Sequence, residues 1–477
     1  MKEKKDFLGL SWVVFALIFL FNPNLHLIDP LPDFIGYIFL CLGFSKMADL
    51  SDNIESAVSL FRKMILIDAF KWLTLFMTFS MSASGEKNSS LLLWTFVFAI
   101  LELICLIPAY IKLFDGITKL GYFHSNTAIL GFLKKKRNAT DRAKKATITF
   151  VCIKAFFTVL PELADISNTS YQEDSAFINI YRYIGLLRGF AILVVFIFGT
   201  IWFCRLQKYF YRLRHDQALM TSLSASYRTN VSPKAGLFID RRFKNFYVFF
   251  LLALIFSINY RVDDITLFPD VLSAIAFFFA FFTLSRNISI KKAPWIFASG
   301  FYFITSIVSH ELEHRFFLEY SFSSIIKNDS AMLLYSSYVI SNILNVIAFL
   351  LCIGFMVRAL RNVILAHTGI SVGRENIDDR VIAMEKELHR ELRRPLWGAT
   401  IAAVVYGVSD ICYDIFAPML SGIYVKEAAI FGTFSNIQDH YGWLKTVNIV
   451  FFIVCLVLFV RSLNEILSEI REKYILE

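Results

Sequence analysis

Charge is scarce in this chain. Asp, Glu, Lys and Arg make up 18% of its 477 residues, against about 25% in an ordinary soluble domain. That shortage excludes a disordered, highly charged chain and a typical cytosolic enzyme. Cysteine is sparse as well: seven residues (Cys41, Cys105, Cys152, Cys204, Cys352, Cys412, Cys455), with no CxxC pair, all inside apolar runs. A disulfide-stapled module and a thiolate metal set are thereby excluded, and the cysteines read as small core hydrophobes. No GxxxxGK[ST] occurs, so the chain carries no P-loop ATPase of its own. No small-residue cleavage site follows the first apolar run, where Phe21-Asn22-Pro23 leads into the next one. We therefore read that run as a span and not as a cleavable signal.

What the chain has in abundance is apolar surface: 57% AVILMFWYC, with 51 Phe and 20 Tyr. A bilayer core of about 30 Å needs roughly 20 apolar residues per helix. Twelve segments meet that description, near 8–23, 31–47, 62–82, 91–113, 146–166, 183–204, 245–260, 269–285, 293–313, 333–357, 396–417 and 443–462. The expected fold class is an all-α polytopic membrane protein. With the N-terminus placed inside, 38 of the 48 Lys and Arg fall on cytoplasmic stretches, as the positive-inside rule demands. Both termini are then cytoplasmic, and a multi-pass protein of the cell (cytoplasmic) membrane is expected. The net charge of +9 is topology signal and attraction to anionic headgroups. No nucleic-acid partner is expected, because no aromatic stacking platform or groove-reading motif accompanies the basic loops.

Shifting the chain by 237 residues aligns 10–46 with 247–283 without a gap, and ten of the 37 pairs are identical. Asn22/Asn259, Pro32/Pro269 and Asp33/Asp270 carry the most weight, since those residue types are rare here. The expectation is two parallel-duplicated six-helix halves, 1–237 with a cytoplasmic linker and 238–477. The layout resembles the major facilitator architecture in span count and pseudo-symmetry. The segment Lys46 to Lys63 (KMADLSDNIESAVSLFRK) carries no glycine-and-basic motif of that family. Asp33 and Asp270 read first as caps at the starts of their helices. With Asp29, Asp263 and Asp264 they also form a possible cation-attracting vestibule.

Ionisable groups inside spans are costly and usually face a bundle interior or an aqueous cavity. Asp68 and Lys71 lie one turn apart and are expected to pair. Glu102, Lys154, Glu162 and Arg188 belong to the first half and are expected to line one polar cavity, as a substrate or proton pathway. In the second half, His310-Glu311-Leu312-Glu313-His314 fits H-E-x-x-H, and it looks like the zincin-type metalloprotease motif. There, two histidines at i and i+4 hold zinc and the glutamate activates water. Asp410 and Asp414, also at i and i+4, supply further ligands for zinc or another divalent cation. A cluster of His310, His314, Asp410 and Asp414 with Glu311 as base is the enzyme expectation.

Three functions follow. The leading one is a secondary-transporter-like protein moving a polar or zwitterionic solute or lipid headgroup through a cavity between two pseudo-symmetric halves, with no cofactor. The second is a membrane-embedded zinc metallohydrolase using the HELEH segment. The third is a permease or scaffold subunit served by a separate ATPase. Amphipathic extensions such as Arg205 to Arg214 and Arg461 to Tyr474 would meet such a cytoplasmic partner.

Overall fold

The computed structural model describes residues 8–23, 29–79, 84–124, 138–166, 184–232, 235–258, 261–262, 265–266, 270–285, 293–325, 328–369, 379–431 and 442–476. The chain divides into two compact units, Met1–Ala235 and Gly236–Glu477. Both are helical. The β-structure among the described residues is one antiparallel ladder of Arg261–Val262 with Ile265–Thr266.

The first unit holds α1 (Ser11–Leu20), α2 (Asp33–Ala48), α3 (Asp52–Phe79), α4 (Ser84–Phe123), α5 (Ala139–Ile166), α6 (Ile184–His215) and the short α7 (Gln217–Ser226). Their ends follow local chemistry. Pro30 and Pro32 keep the chain out of a helix before α2, and Asp33 then opens it with a negative charge at the positive end of the helix dipole. Lys46 closes the same helix at the opposite pole. Asp216 caps α7 by accepting from the Leu219 amide at 3.1 Å. Each helix from α1 to α6 packs on its successor, and α6 also packs on α1. Gly36 and Gly43 let α1 and α2 approach closely: a Cβ on either would lie 2.7 Å from Leu20 or Val13. Close approach through small residues is how helices associate where no hydrophobic force drives them together.

The second unit holds α8 (Ala235–Phe256), α9 (Asp270–Leu284), α10 (Ala293–Glu319), α11 (Asp329–His367), α12 (Asp379–Phe431) and α13 (Gly442–Arg471). Asn328 caps α11 through the Ser330 amide at 2.9 Å. Phenylalanines lock α8 onto α9 (Phe250 and Phe277, centroids 6.0 Å apart) and onto α13 (Phe250 and Phe459, 5.0 Å).

Among the described residues, five stretches are long and apolar enough to cross a membrane: Leu91–Phe123, Gly185–His215, Asp329–His367, Ile382–Phe416 and Thr446–Tyr474. Ser11–Leu20 and Asp270–Leu284 are apolar but shorter. Burial runs opposite to that of a soluble protein. In Gly185–His215 only 22% of the apolar stretch is buried, and Leu186, Phe190, Leu193, Phe196 and Ile197 point outward. Phe278, Phe279 and Phe282 do so on α9. Contiguous apolar surface on this scale is stable against lipid and not against water. The cysteines are all free. Cys41, Cys352 and Cys455 are buried as expected, whereas Cys152 and Cys204 face outward with the apolar surface.

Candidate functional site

Six ionisable side chains meet in the interior of the first unit. Lys71, on α3, donates to both oxygens of Asp29 at 3.1 Å and to Glu102 Oε1, on α4, at 3.2 Å. Lys154, on α5, reaches Asp33 Oδ2 at 2.6 Å. All of these groups, and Asp68, are buried. The pairing has a plain cause. An isolated ion in a low-dielectric interior costs several kcal/mol, and opposite charges offset that cost only at contact. Four carboxylates face two ammonium groups, so the fully ionised cluster keeps two negative charges in excess. Asp33 Oδ1 and Asn22 Oδ1 are buried and accept no hydrogen bond from the described residues.

This arrangement corrects one sequence expectation and meets another. Asp33 does stand at the start of α2, yet its carboxylate goes to Lys154 and not to the helix end. The cap comes from α3 instead, where Asp68 Oδ2 accepts from the Phe34 amide at 2.6 Å. Asp68 and Lys71 do pair, at 3.9 Å, and the same ammonium lies closer still to Asp29 and Glu102. Of the four residues expected to line one cavity, Glu102 and Lys154 belong to this paired cluster, and Arg188 is half-buried on α6. Glu162 belongs to α5, and its side chain lies outside the described residues, as do Asp263 and Asp264.

The second unit gathers carboxylates with a different set of partners. Asp414 Oδ2 accepts from Asn342 at 2.5 Å and from the Tyr338 hydroxyl at 2.8 Å. Asp410 accepts from Asn448 at 3.2 Å and from Asn342 at 3.4 Å. Asp270, opening α9, takes a short hydrogen bond from Asn345, whose own oxygen accepts from Thr305 and Ser306 at 3.1 and 3.0 Å. Glu313 is buried on the neighbouring face of α10. Side-chain amides and a hydroxyl, from Asn342, Asn345, Asn448 and Tyr338, are among the donors to Asp270, Asp410 and Asp414.

The HELEH segment turns different residues to different sides of α10. The inward stripe of α10 runs through Tyr302, Ser306, Ser309, Glu313 and Phe316. His310 and His314 lie roughly 100° round the helix from it, with their rings side by side at 6.4 Å. Glu311 is exposed and paired with Arg315 at 2.7 Å. Asp410 and Asp414 are buried with Asn342, Asn448 and Tyr338. Among the described residues no group of three or more His, Cys, Asp or Glu is placed to hold a metal ion. The donor set therefore does not fit a catalytic zinc, which needs three protein ligands, and we derive no chemistry through one.

Sequence reasoning missed Asp29 as a member of the first cluster and the amide donors Asn342 and Asn448 of the second. The signal for Asp29 was present in Asp29-Pro30-Leu31-Pro32-Asp33, two carboxylates held four residues apart by prolines. No family model, curated protein or solved structure matches this chain.

Proposed function

We propose that the chain is a multi-spanning transport protein of the cytoplasmic membrane. It has twelve helices in two halves related by duplication and both termini inside, and it moves a polar or zwitterionic solute or lipid headgroup. The observation that carries this reading is the cluster of Asp29, Asp33, Asp68, Lys71, Glu102 and Lys154 in the interior of helices whose outer faces are apolar. Neutral side chains of similar volume pack at no greater cost than buried ion pairs. Six retained ions inside a membrane are therefore a functional hypothesis by default. The excess of carboxylate over ammonium leaves room for a proton or for the ammonium of a substrate. Exchange of Lys154 for such a group at Asp33 is a step that alternating access can drive. Glu102 and Lys154 act here by changing partners, and not as the walls of an open cavity.

The test is purified protein in liposomes, supplied with labelled zwitterions and organic cations outside, and with fluorescent phospholipids in a parallel assay. At least one class is expected to cross faster than in empty liposomes, with the rate lost in Lys154→Met. The absence of protein-dependent movement for every class, with the protein folded and oriented, overturns the reading.

The lengths of α4, α11 and α12 favour a second role alongside it. At 40, 39 and 53 residues they span about 60 to 80 Å, well beyond a bilayer core. Such extensions suit docking of a cytoplasmic subunit such as an ATPase. Co-purification of a partner at fixed stoichiometry is the expected outcome of mild solubilisation, and full transport by the lone chain removes the need for one.

A further inference from the structure

A cleft of about 670 Å³ opens between the start of α5 and the end of α6, away from the charged cluster. Its lining changes character along its length. One end is walled by Phe150, Phe198, Ile201 and Trp202. The other carries Arg142 and Lys145 from α5 and Arg205, Lys208 and Arg212 from α6. The residues on α6 recur every three or four positions and so share one face, and the switch from apolar to basic falls within a single turn, between Trp202 and Arg205. Asp141 is the one carboxylate in the lining.

The walls are held in place. Trp202 donates to Thr147 Oγ1 at 3.0 Å and stacks on Phe150 at 4.7 Å. Tyr209 and Thr140 join the two helices through their hydroxyls at 3.0 Å. The five cations, by contrast, make no hydrogen bond or ion pair with the described residues, whereas neighbouring Lys144 is taken up by Asp115 at 2.7 Å. A fixed apolar slot that opens onto five uncommitted cations is complementary to one class of molecule: an anion with an apolar tail.

We infer that this cleft binds an anionic phospholipid of the cytoplasmic leaflet, with its phosphate among Arg142, Lys145, Arg205, Lys208 and Arg212 and the upper part of an acyl chain against Phe198, Ile201 and Trp202. The volume falls in the usual range for a ligand site, about 300 to 1,000 Å³. Arg205 and Arg212 are seven residues apart, about 10 Å along the helix. That is farther than one phosphate spans, so a lipid with two phosphates uses more of the cations than a lipid with one. The inference rests on the membrane orientation given above and not on transport.

Native mass spectrometry of the full chain in detergent tests it, with phosphatidylglycerol, cardiolipin and phosphatidylcholine titrated separately. The two anionic lipids are expected to bind at least tenfold more tightly than phosphatidylcholine, cardiolipin the more tightly of the two. Arg205→Ala/Arg212→Ala is expected to abolish that preference. Arg358→Ala/Arg361→Ala removes the same charge from exposed positions on α11 and is expected to leave it intact. Equal binding of anionic and zwitterionic lipid, or equal loss in both double variants, means diffuse surface attraction and overturns the site. So does displacement of the lipid by millimolar glycerol phosphate, which would assign the cleft to a soluble anion. Because nothing is transported in this experiment, a failure of the flux assay leaves its outcome untouched.

Discussion

The interiors of the two units solve the same problem with different chemistry. In the first, carboxylates from the α2 approach, α3 and α4 are held by Lys71 and Lys154. In the second, Asp270, Asp410 and Asp414 are held by Asn342, Asn345, Asn448 and Tyr338. Asp33 and Asp270 make the contrast sharpest, because each opens the second helix of its unit after a proline. One takes an ammonium, the other an amide. Ion pairing ties each carboxylate to a partner whose loss strands a buried charge. Amide and hydroxyl donors hold a carboxylate without supplying a countercharge, and a side-chain amide keeps one acceptor oxygen for them. The first unit is thus the one whose interior changes energy steeply when a charge arrives or leaves, and we place the working site there.

The contrast sets an order of mutational effects. Lys71→Met should be the most damaging, since Asp29 and Glu102 lose their shared cation together. Breaking a buried pair from one side costs about 3–5 kcal/mol, read as a large fall in thermal stability in detergent. Adding Asp29→Asn and Glu102→Gln to that variant should restore part of the loss, because an interior neutral on both sides strands nothing. No recovery in the triple variant would show that packing, and not charge, holds the cluster. Asp33→Asn comes next, at about 2–3 kcal/mol, because Lys154 keeps a neutral acceptor but loses its countercharge. Asp270→Asn, its counterpart, should cost less, about 1–2 kcal/mol, since Asn345 keeps an acceptor and no buried ammonium loses a countercharge. Equal losses in these two would break the comparison. Smallest of all is Glu311→Gln in the HELEH segment. It removes an exposed pair with Arg315 worth less than about 0.5 kcal/mol, and metal content measured on the same sample should not change.

Much of the architecture was readable from residue order. The start of α2 was set by Pro32 and Asp33, and the apolar runs marked where helices lie, because burial in lipid writes itself as local composition. The excess length of α6 and α13 beyond the bilayer was visible in the amphipathic continuations Arg205 to Arg214 and Arg461 to Tyr474. The partners of charged groups were not readable. Lys154 and Asp33 are 121 residues apart, and nothing local distinguishes a lysine that finds an aspartate from one that faces water. Asp68 illustrates the same limit: its spacing from Lys71 predicts a pair on one helix, but tertiary packing sends one oxygen to the Phe34 amide. HELEH was misleading because spacing reports which residues share a helix face, not which way that face turns. In α10 it is Glu313, and not either histidine, that turns inward.

The most direct measurement compares Glu102→Gln with Asp414→Asn in proteoliposomes, using whichever solute or lipid the liposome assay of the proposed function identifies. Both substitutions replace a buried carboxylate by its amide, so size and hydrogen-bonding shape are matched. Glu102→Gln is expected to abolish movement, because it removes a countercharge of Lys71. Asp414→Asn is expected to retain most of it, since Asn342 and Tyr338 can still donate to the amide oxygen. Equal activity of the two variants, or loss confined to Asp414→Asn, would contradict the assignment of the working site to the first unit.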